Sequence, residues 1–367
     1  MARSRERVAA GQAGPKTALE RLRREADGAL AAGPFSVINK RLVPPSGDKH
    51  DYMSVAPYWW PDPGRPDGLP YVRHDGKRNP ARYSADTDSV TESAMAAAVE
   101  TLGLAYYFTE HRPYADHAAR LLRVWFLDPA TRMNPNLNFS QAIQGVVAGR
   151  PPGVIDTVDL ITMLDAVEIL HAARALTEAD DRGLRAWFAA FVQWLTTSEI
   201  GRGEAAAGNN HGSWYDAQVC RFALFAGRDD LAREVVRQVA AARIAQQIQP
   251  DGTMPRELER TRSYHYSVFN LVALFSLADM GARLGTDLYG YQSPDGRSLR
   301  RALEYLLPYL DPAVAWPYPQ LGARDREPLV PLLRRAHRGF HDTRYHDLVG
   351  RFLAPEAADH RAELVLP

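Results

Sequence analysis

Residues Asp86 to Glu110 read DTDSVTESAMAAAVETLGLAYYFTE, and this stretch decides the fold class. Asp, Thr and Ser at its head are side chains that cap a helix start, and the apolar residues behind them recur at helical rather than alternating spacing. The pattern extends both ways. Upstream, Leu19, Leu22 and Leu30 sit among Glu and Arg at helical spacing. Downstream, residues 113–127 put Ala118, Leu121, Leu122 and Trp125 on one side, and residues 154–176 put Leu160, Leu164, Val167 and Leu170 on one face. Further helices are expected at 178–197, 211–226, 229–248, 264–284, 298–310, 327–340 and 345–353.

About a dozen helices joined by short turns such as GRDD and QPDG, with no alternating strand, make the chain all-α. Two irregular segments interrupt them. Residues 33–84 are crowded with Pro and Gly yet carry Tyr52, Tyr58, Trp59, Trp60 and Tyr71, which argues for an ordered loop rather than disorder. Residues 128–153 are amide-rich and close on Pro-Pro-Gly. Successive helical hairpins with two long loops on one rim suggest an α/α toroid, an incomplete α/α barrel in a single domain spanning 1–367. A globular helical bundle fits the same periodicity.

Totals narrow the function. Among 367 residues, 44 Lys and Arg balance 44 Asp and Glu, so nothing favours nonspecific binding to nucleic acid or an anionic membrane. The single cysteine, Cys220, excludes an intramolecular disulfide and a multi-cysteine zinc site. The basic N-terminal stretch lacks an apolar core of signal-peptide length, and no other run is expected to reach the roughly 20 apolar residues that cross a bilayer. The chain as it stands reads as cytoplasmic, or as periplasmic or secreted if a leader is missing. Its oligomeric state is not legible.

Two polar clusters stand out in this apolar helical background. GNNHGSWYDAQVC (208–220) sets Asn209, Asn210 and His211 beside Trp214 at a helix entrance. Asn there is an ordinary cap, but main-chain N–H groups and the helix dipole also suit a bound carboxylate. PDGTMPRELERTRSYHYSVFNL (250–271) gathers Arg256, Arg260, Arg262, Tyr264, His265 and Tyr266, with Glu257 and Glu259 as ready ion-pair partners for the arginines.

At these residues the chain resembles a known family. NNHGSW and, one helix later, ELERTRSYHYS are similar to the Asn-Asn-His and Glu-Leu-x-Arg…Tyr pattern of the alginate lyases of polysaccharide lyase family 5. HDYMSVAPYWWPDPGRPDGLPYVRHDG (50–76) resembles polysaccharide lyase family 38, whose members cleave glucuronan and in some cases alginate. The resemblance runs from about His50 to Leu284. It implies an α/α toroid and β-elimination of an anionic uronic-acid polysaccharide without metal or other cofactor. It assigns Asn210 and His211 to the substrate carboxylate and Arg260 to the arginine of the motif. Matching tyrosine before histidine selects Tyr264 as catalytic. Deleting one residue selects Tyr266 and also aligns Phe269 and Leu271, so Tyr266 is the first choice and Tyr264 the reserve. His265, Asn209 and Glu204 are supporting candidates, and Tyr58, Trp59, Trp60, Gln144, Trp214 and Arg262 are candidate sugar contacts.

The chemistry accounts for the residue types. Removing the C5 proton beside a carboxylate requires that its charge be neutralised, which amide, imidazole and guanidinium donors can do. The base is then a tyrosine, whose ordinary pKa of about 10 falls beside cationic groups. In β-D-glucuronate and β-D-mannuronate the proton and O4 leave on one side, so one tyrosine serves both ends; for α-L-guluronate His211 would be the base. Rival readings are a glycoside hydrolase, for which Asp62, Asp156 and Glu204 form no recognisable pair, and a non-catalytic carbohydrate-binding protein.

Overall fold

The computed structural model describes residues 2–366. Helix Ser89–Thr109 begins where its sequence predicts, but Asp88 does not cap it with its side chain. Its buried carboxylate instead meets Lys40 Nζ at 3.0 Å and accepts the Met53 N–H at 2.8 Å. Lys40 also donates to the carbonyls of Val37 and Lys49, both at 2.7 Å. One buried ion pair thus ties the long 33–84 segment to the helix, at the expense of the cap.

The chain divides into two units. The larger covers Glu25–Ala206 and Arg221–Asp229; the other covers Met1–Arg24, Ala207–Cys220 and Asp230–Pro367. In the Glu25–Ala206 unit, Ser89–Thr109 packs against Arg112–Leu122 and Leu160–Ala172. Gly103 faces Ala166 so closely that a Cβ there would collide with it, which is why a glycine is accepted in mid-helix. Helix Glu178–Thr197 starts with a capping box formed by Thr177 and Asp180, and its Trp187, Phe188 and Phe191 join Phe126 and Phe222 in an aromatic core.

Helix Ser263–Leu284 is the core element of the other unit, where Leu299–Leu306 and Leu329–Phe340 pack on it. It departs from expectation in one respect: over 22 residues it is long and apolar enough, by length and composition, to cross a membrane. Most of its residues, the polar Asn270 included, are buried in the unit, as in the core helix of a globular protein.

Neither irregular segment is wholly loop, as the sequence had suggested. Met53–Val55 pairs in parallel with Phe139–Ala142, and Trp59–Trp60 pairs antiparallel with Val72–Arg73. Strands of two to four residues are too short for alternation to show.

Behind them lies Asp156, whose side chain is fully buried. It accepts from Arg82 Nη1 and Nη2 at 2.9 and 2.7 Å, from Ser54 Oγ at 2.5 Å, from Tyr52 Oη at 3.2 Å and from Gln141 Nε2 at 2.9 Å. Gln141 holds a left-handed backbone, φ 47°, and its side-chain oxygen accepts from Arg150 at 2.7 Å. Asp156→Asn would place an NH2 group among these donors and strip Arg82 of its counter-charge. It is expected to cost about 3–5 kcal/mol in urea unfolding, the range for breaking one partner out of a buried ion pair.

Candidate active site

The Asn-Asn-His turn is built as a helix entrance. Asn209 precedes helix Asn210–Phe225, and its carbonyl accepts the N–H of Gly212 at 3.0 Å while its Oδ1 accepts that of His211 at 3.3 Å. Asn209 therefore caps, as its residue type predicts. Gly212 is required by space: a Cβ there would run into the Ala207 carbonyl and the Arg243 guanidinium. Arg243 donates to Ala207 O at 2.9 Å and to Asp216 through Nε at 2.7 Å and Nη2 at 3.1 Å, so it staples the turn to the first helical residues. Burial raises the Asp216 carboxyl, and Arg243 opposes that shift.

The carboxylate that the helix entrance holds is the protein's own. Asn210 has no exposed surface; its main-chain N–H donates to Glu257 Oε1 at 2.6 Å and its Nδ2 to Oε2 at 2.7 Å. Sequence reasoning cast Glu257 only as an ion-pair partner for neighbouring arginines. A carboxylate at a helix N-terminus was foreseeable, but which one would arrive there, 47 residues away, was not. Burial raises the Glu257 carboxyl above its ordinary value, opposed by both Asn210 donors and by the charges of His211 and Arg260.

Arg260 lies one turn from Glu257, its N–H donating to the Glu257 carbonyl at 3.2 Å. Its Nη2 donates to Tyr266 Oη at 2.9 Å, and its guanidinium sits 3.9 Å from the centre of the Tyr266 ring. Tyr266 is 7% exposed. Tyr264 is fully buried, with its ring edge-on to Trp316, and burial pushes its phenol up to about 12 against the opposing charge of Arg324. His265 stacks on Phe269 and meets Tyr266 edge-on; Trp214 packs on the same Phe269 at 4.9 Å. Trp214 is thus a buried packing residue here, not an open sugar face.

Asn209, Asn210, His211, Arg260, His265 and Tyr266 therefore belong to one connected cluster, with Glu257 as its link. Arg262 stands beside it at the head of helix Ser263–Leu284, its backbone bridged to Gln320. That helix is secured by a segment the sequence reading passed over as a connection. Ser263 N–H and Oγ donate to Pro319 O at 3.1 and 2.6 Å, Tyr264 N–H donates to Gln320 Oε1 at 3.0 Å, and Leu321 N–H donates to Thr261 O at 2.7 Å. The clue was composition: WPYPQL (316–321) is as rich in Pro and aromatics as the 33–84 segment.

The remaining candidates belong to the Glu25–Ala206 unit. Tyr58, Trp59 and Trp60 are half-buried around the short hairpin, with Trp60 Nε1 donating to Lys77 O at 2.9 Å. Gln144 is half-buried, and its carbonyl accepts the Tyr71 N–H at 3.0 Å. Glu204 is 1% exposed in helix Glu199–Ala205, close enough to Arg150 to offset part of the lowering that burial imposes there.

The alginate lyase family profile matches residues 36–316. Among solved structures the chain is similar to an alginate lyase from Bacteroides ovatus, at 40% identity and a TM-score of 0.95 over 100% of this chain and 96% of that one. It is also similar to alginate lyase A1-III from Sphingomonas species A1, at 17% identity and a TM-score of 0.52 over 87% of each chain. A variant of alginate lyase A1-III complexed with a tetrasaccharide matches at 18% identity and a TM-score of 0.57, over 91% of this chain and 88% of that one. These last two likenesses show the fold class, the all-α α/α toroid that the helix pattern suggested. No curated protein sequence matches significantly.

Gly212→Ala is expected to lower stability by about 1–3 kcal/mol, the usual cost of overpacking, because neither the Ala207 carbonyl nor Arg243 can yield without losing the staple. Thermal unfolding of the two proteins checks it.

Proposed function

The chain belongs to the alginate lyase family and is a polysaccharide lyase, and on that premise we propose that it cleaves β-1,4-linked uronic-acid polymers by β-elimination. Glucuronan is the proposed substrate, with the polymannuronate of alginate as a second, in keeping with the resemblance of residues 50–76 to polysaccharide lyase family 38. The tetrasaccharide complex of an alginate lyase A1-III variant supports a sugar chain as ligand.

The observation that carries the mechanism is the Arg260–Tyr266 pair. A guanidinium that both donates to the phenol oxygen at 2.9 Å and lies over the ring favours phenolate over phenol, which is what a tyrosine base needs. Half-buried His211 and Arg260 are proposed to hold the C5 carboxylate, with Asn209 beside them; Asn210, which has no exposed surface, steadies the turn that presents His211. Tyr266 takes the C5 proton, the electron pair forms the C4–C5 double bond, the C4–O4 bond breaks, and the proton passes from Tyr266 to O4. No cofactor enters this scheme. Tyr58, Trp59 and Trp60 retain a proposed role as pyranose-stacking faces, with Gln144 and Arg262 as polar contacts.

Two features weigh against the hydrolase alternative. Asp156 is surrounded by donors from Arg82, Ser54, Tyr52 and Gln141, and Glu204 is almost wholly buried, so neither is placed as one of two carboxyls flanking a bond.

Tyr266→Phe is expected to cut turnover about 10²–10⁴-fold, the usual worth of a general base, in an assay of the ultraviolet-absorbing unsaturated uronate. Tyr264→Phe should stay within about threefold of the parent, because a phenol pushed up to about 12 remains protonated at neutral and mildly alkaline pH and cannot act as base. The opposite ranking would transfer the role to Tyr264. With glucuronan, polymannuronate and polyguluronate compared in the same assay, the first two should be cleaved and polyguluronate should be the poorest; absence of the unsaturated product from all three would reject the lyase reading of the substrate.

A further inference from the structure

Glu257 is a buried carboxylate in the middle of the cluster that the proposed reaction leaves without a part. It is 1% exposed, and both its oxygens are engaged by Asn210, one by the main-chain N–H at 2.6 Å and one by Nδ2 at 2.7 Å. Two bonds from two different groups of one residue fix both the position of its backbone and the rotation of its side chain. An amide in place of the carboxylate would turn one acceptor into a donor facing a donor.

The helix start does not need this carboxylate as a cap. Asn209 already supplies one, through its carbonyl and Oδ1, and Arg243 staples the same turn from the other side. Keeping a carboxylate out of water without need would only cost stability. What Glu257 adds is a link between two turns distant in sequence: its side chain grips the residue before His211, and its carbonyl accepts the N–H of Arg260. Its charge also lies near both His211 and Arg260.

We propose that Glu257 is a positioning residue of the lyase reaction, which through Asn210 sets His211 in register with Arg260 and so with Tyr266. The inference rests on the function proposed above. Displacing one side of a carboxylate clamp relative to its base by a fraction of an ångström to about 1 Å lowers turnover up to about 100-fold without removing any group that touches the sugar.

The test is a double-mutant cycle with kcat and KM measured on glucuronan and folding followed by circular dichroism. Glu257→Gln is expected to lower kcat about 30–100-fold with KM within about threefold. In an Asn210→Ala background, where the Nδ2 bond is gone and only the main-chain N–H still meets the carboxylate, the same substitution should cost less than about tenfold. Independent, multiplying effects would overturn the proposal, as would a Glu257→Gln protein with a lower unfolding temperature but unchanged kcat per folded molecule. If Glu257→Gln does not fold, Glu257→Asp keeps the charge but shortens the reach, and should fold with kcat down about tenfold; parental kcat there refutes positioning. Failure of both to fold makes Glu257 a folding residue and refutes it too. Tyr266→Phe in parallel separates the two readings: active Tyr266→Phe defeats the proposed reaction, whereas inactive Tyr266→Phe with fully active Glu257→Gln defeats only the role of Glu257.

Discussion

A carboxylate taken out of water is stabilised by donors held in place, and in each unit of this protein one such carboxylate joins segments distant in sequence. In the Glu25–Ala206 unit Asp156 draws Arg82, Ser54, Tyr52 and Gln141 together, and thereby joins the two irregular segments to each other. In the other, Glu257 draws Asn210 onto the turn that carries Arg260. Apolar burial supplies most of the driving force for collapse, but it is non-directional. The directional bonds to these two carboxylates decide which loop residues end up beside which helix.

The helical scaffold was legible in the sequence because long periodic segments carry a strong signal. Residues 178–197 form a helix between those very bounds, as Glu178–Thr197, with Thr177 and Asp180 closing its capping box. Ends were less legible where the helix changes pitch: the segment expected as one helix over 113–127 is Arg112–Leu122 followed by a wider turn, Arg123–Leu127. The Asn-Asn-His and Arg…Tyr clusters could be picked out by residue type. The pairings inside them could not, because a hydrogen bond across 47 residues, such as Asn210 to Glu257, leaves no mark on local spacing. Trp214 shows the converse limit, since an indole beside a polar turn reads as a sugar platform until Phe269 is seen to cover it.

The same contrast bears on the choice of tyrosine. Tyr264 and Tyr266 differ by two positions on a helix, about 200° of rotation, so they look in nearly opposite directions. One reaches Arg260; the other is enclosed with Trp316. At Tyr264 burial outweighs the nearby Arg324 and raises the phenol, whereas Tyr266 has a guanidinium at hydrogen-bond distance from its oxygen.

The segment from Pro319 to Leu321 supplies the first partners of helix Ser263–Leu284, in place of a local cap. A chain leaving the ribosome therefore cannot secure the start of that helix when residues 263–284 emerge. Its opening turn lacks these partners until more than 50 further residues have been made. The order of synthesis thus places the fixing of this helix start after residue 321 has been added to the chain.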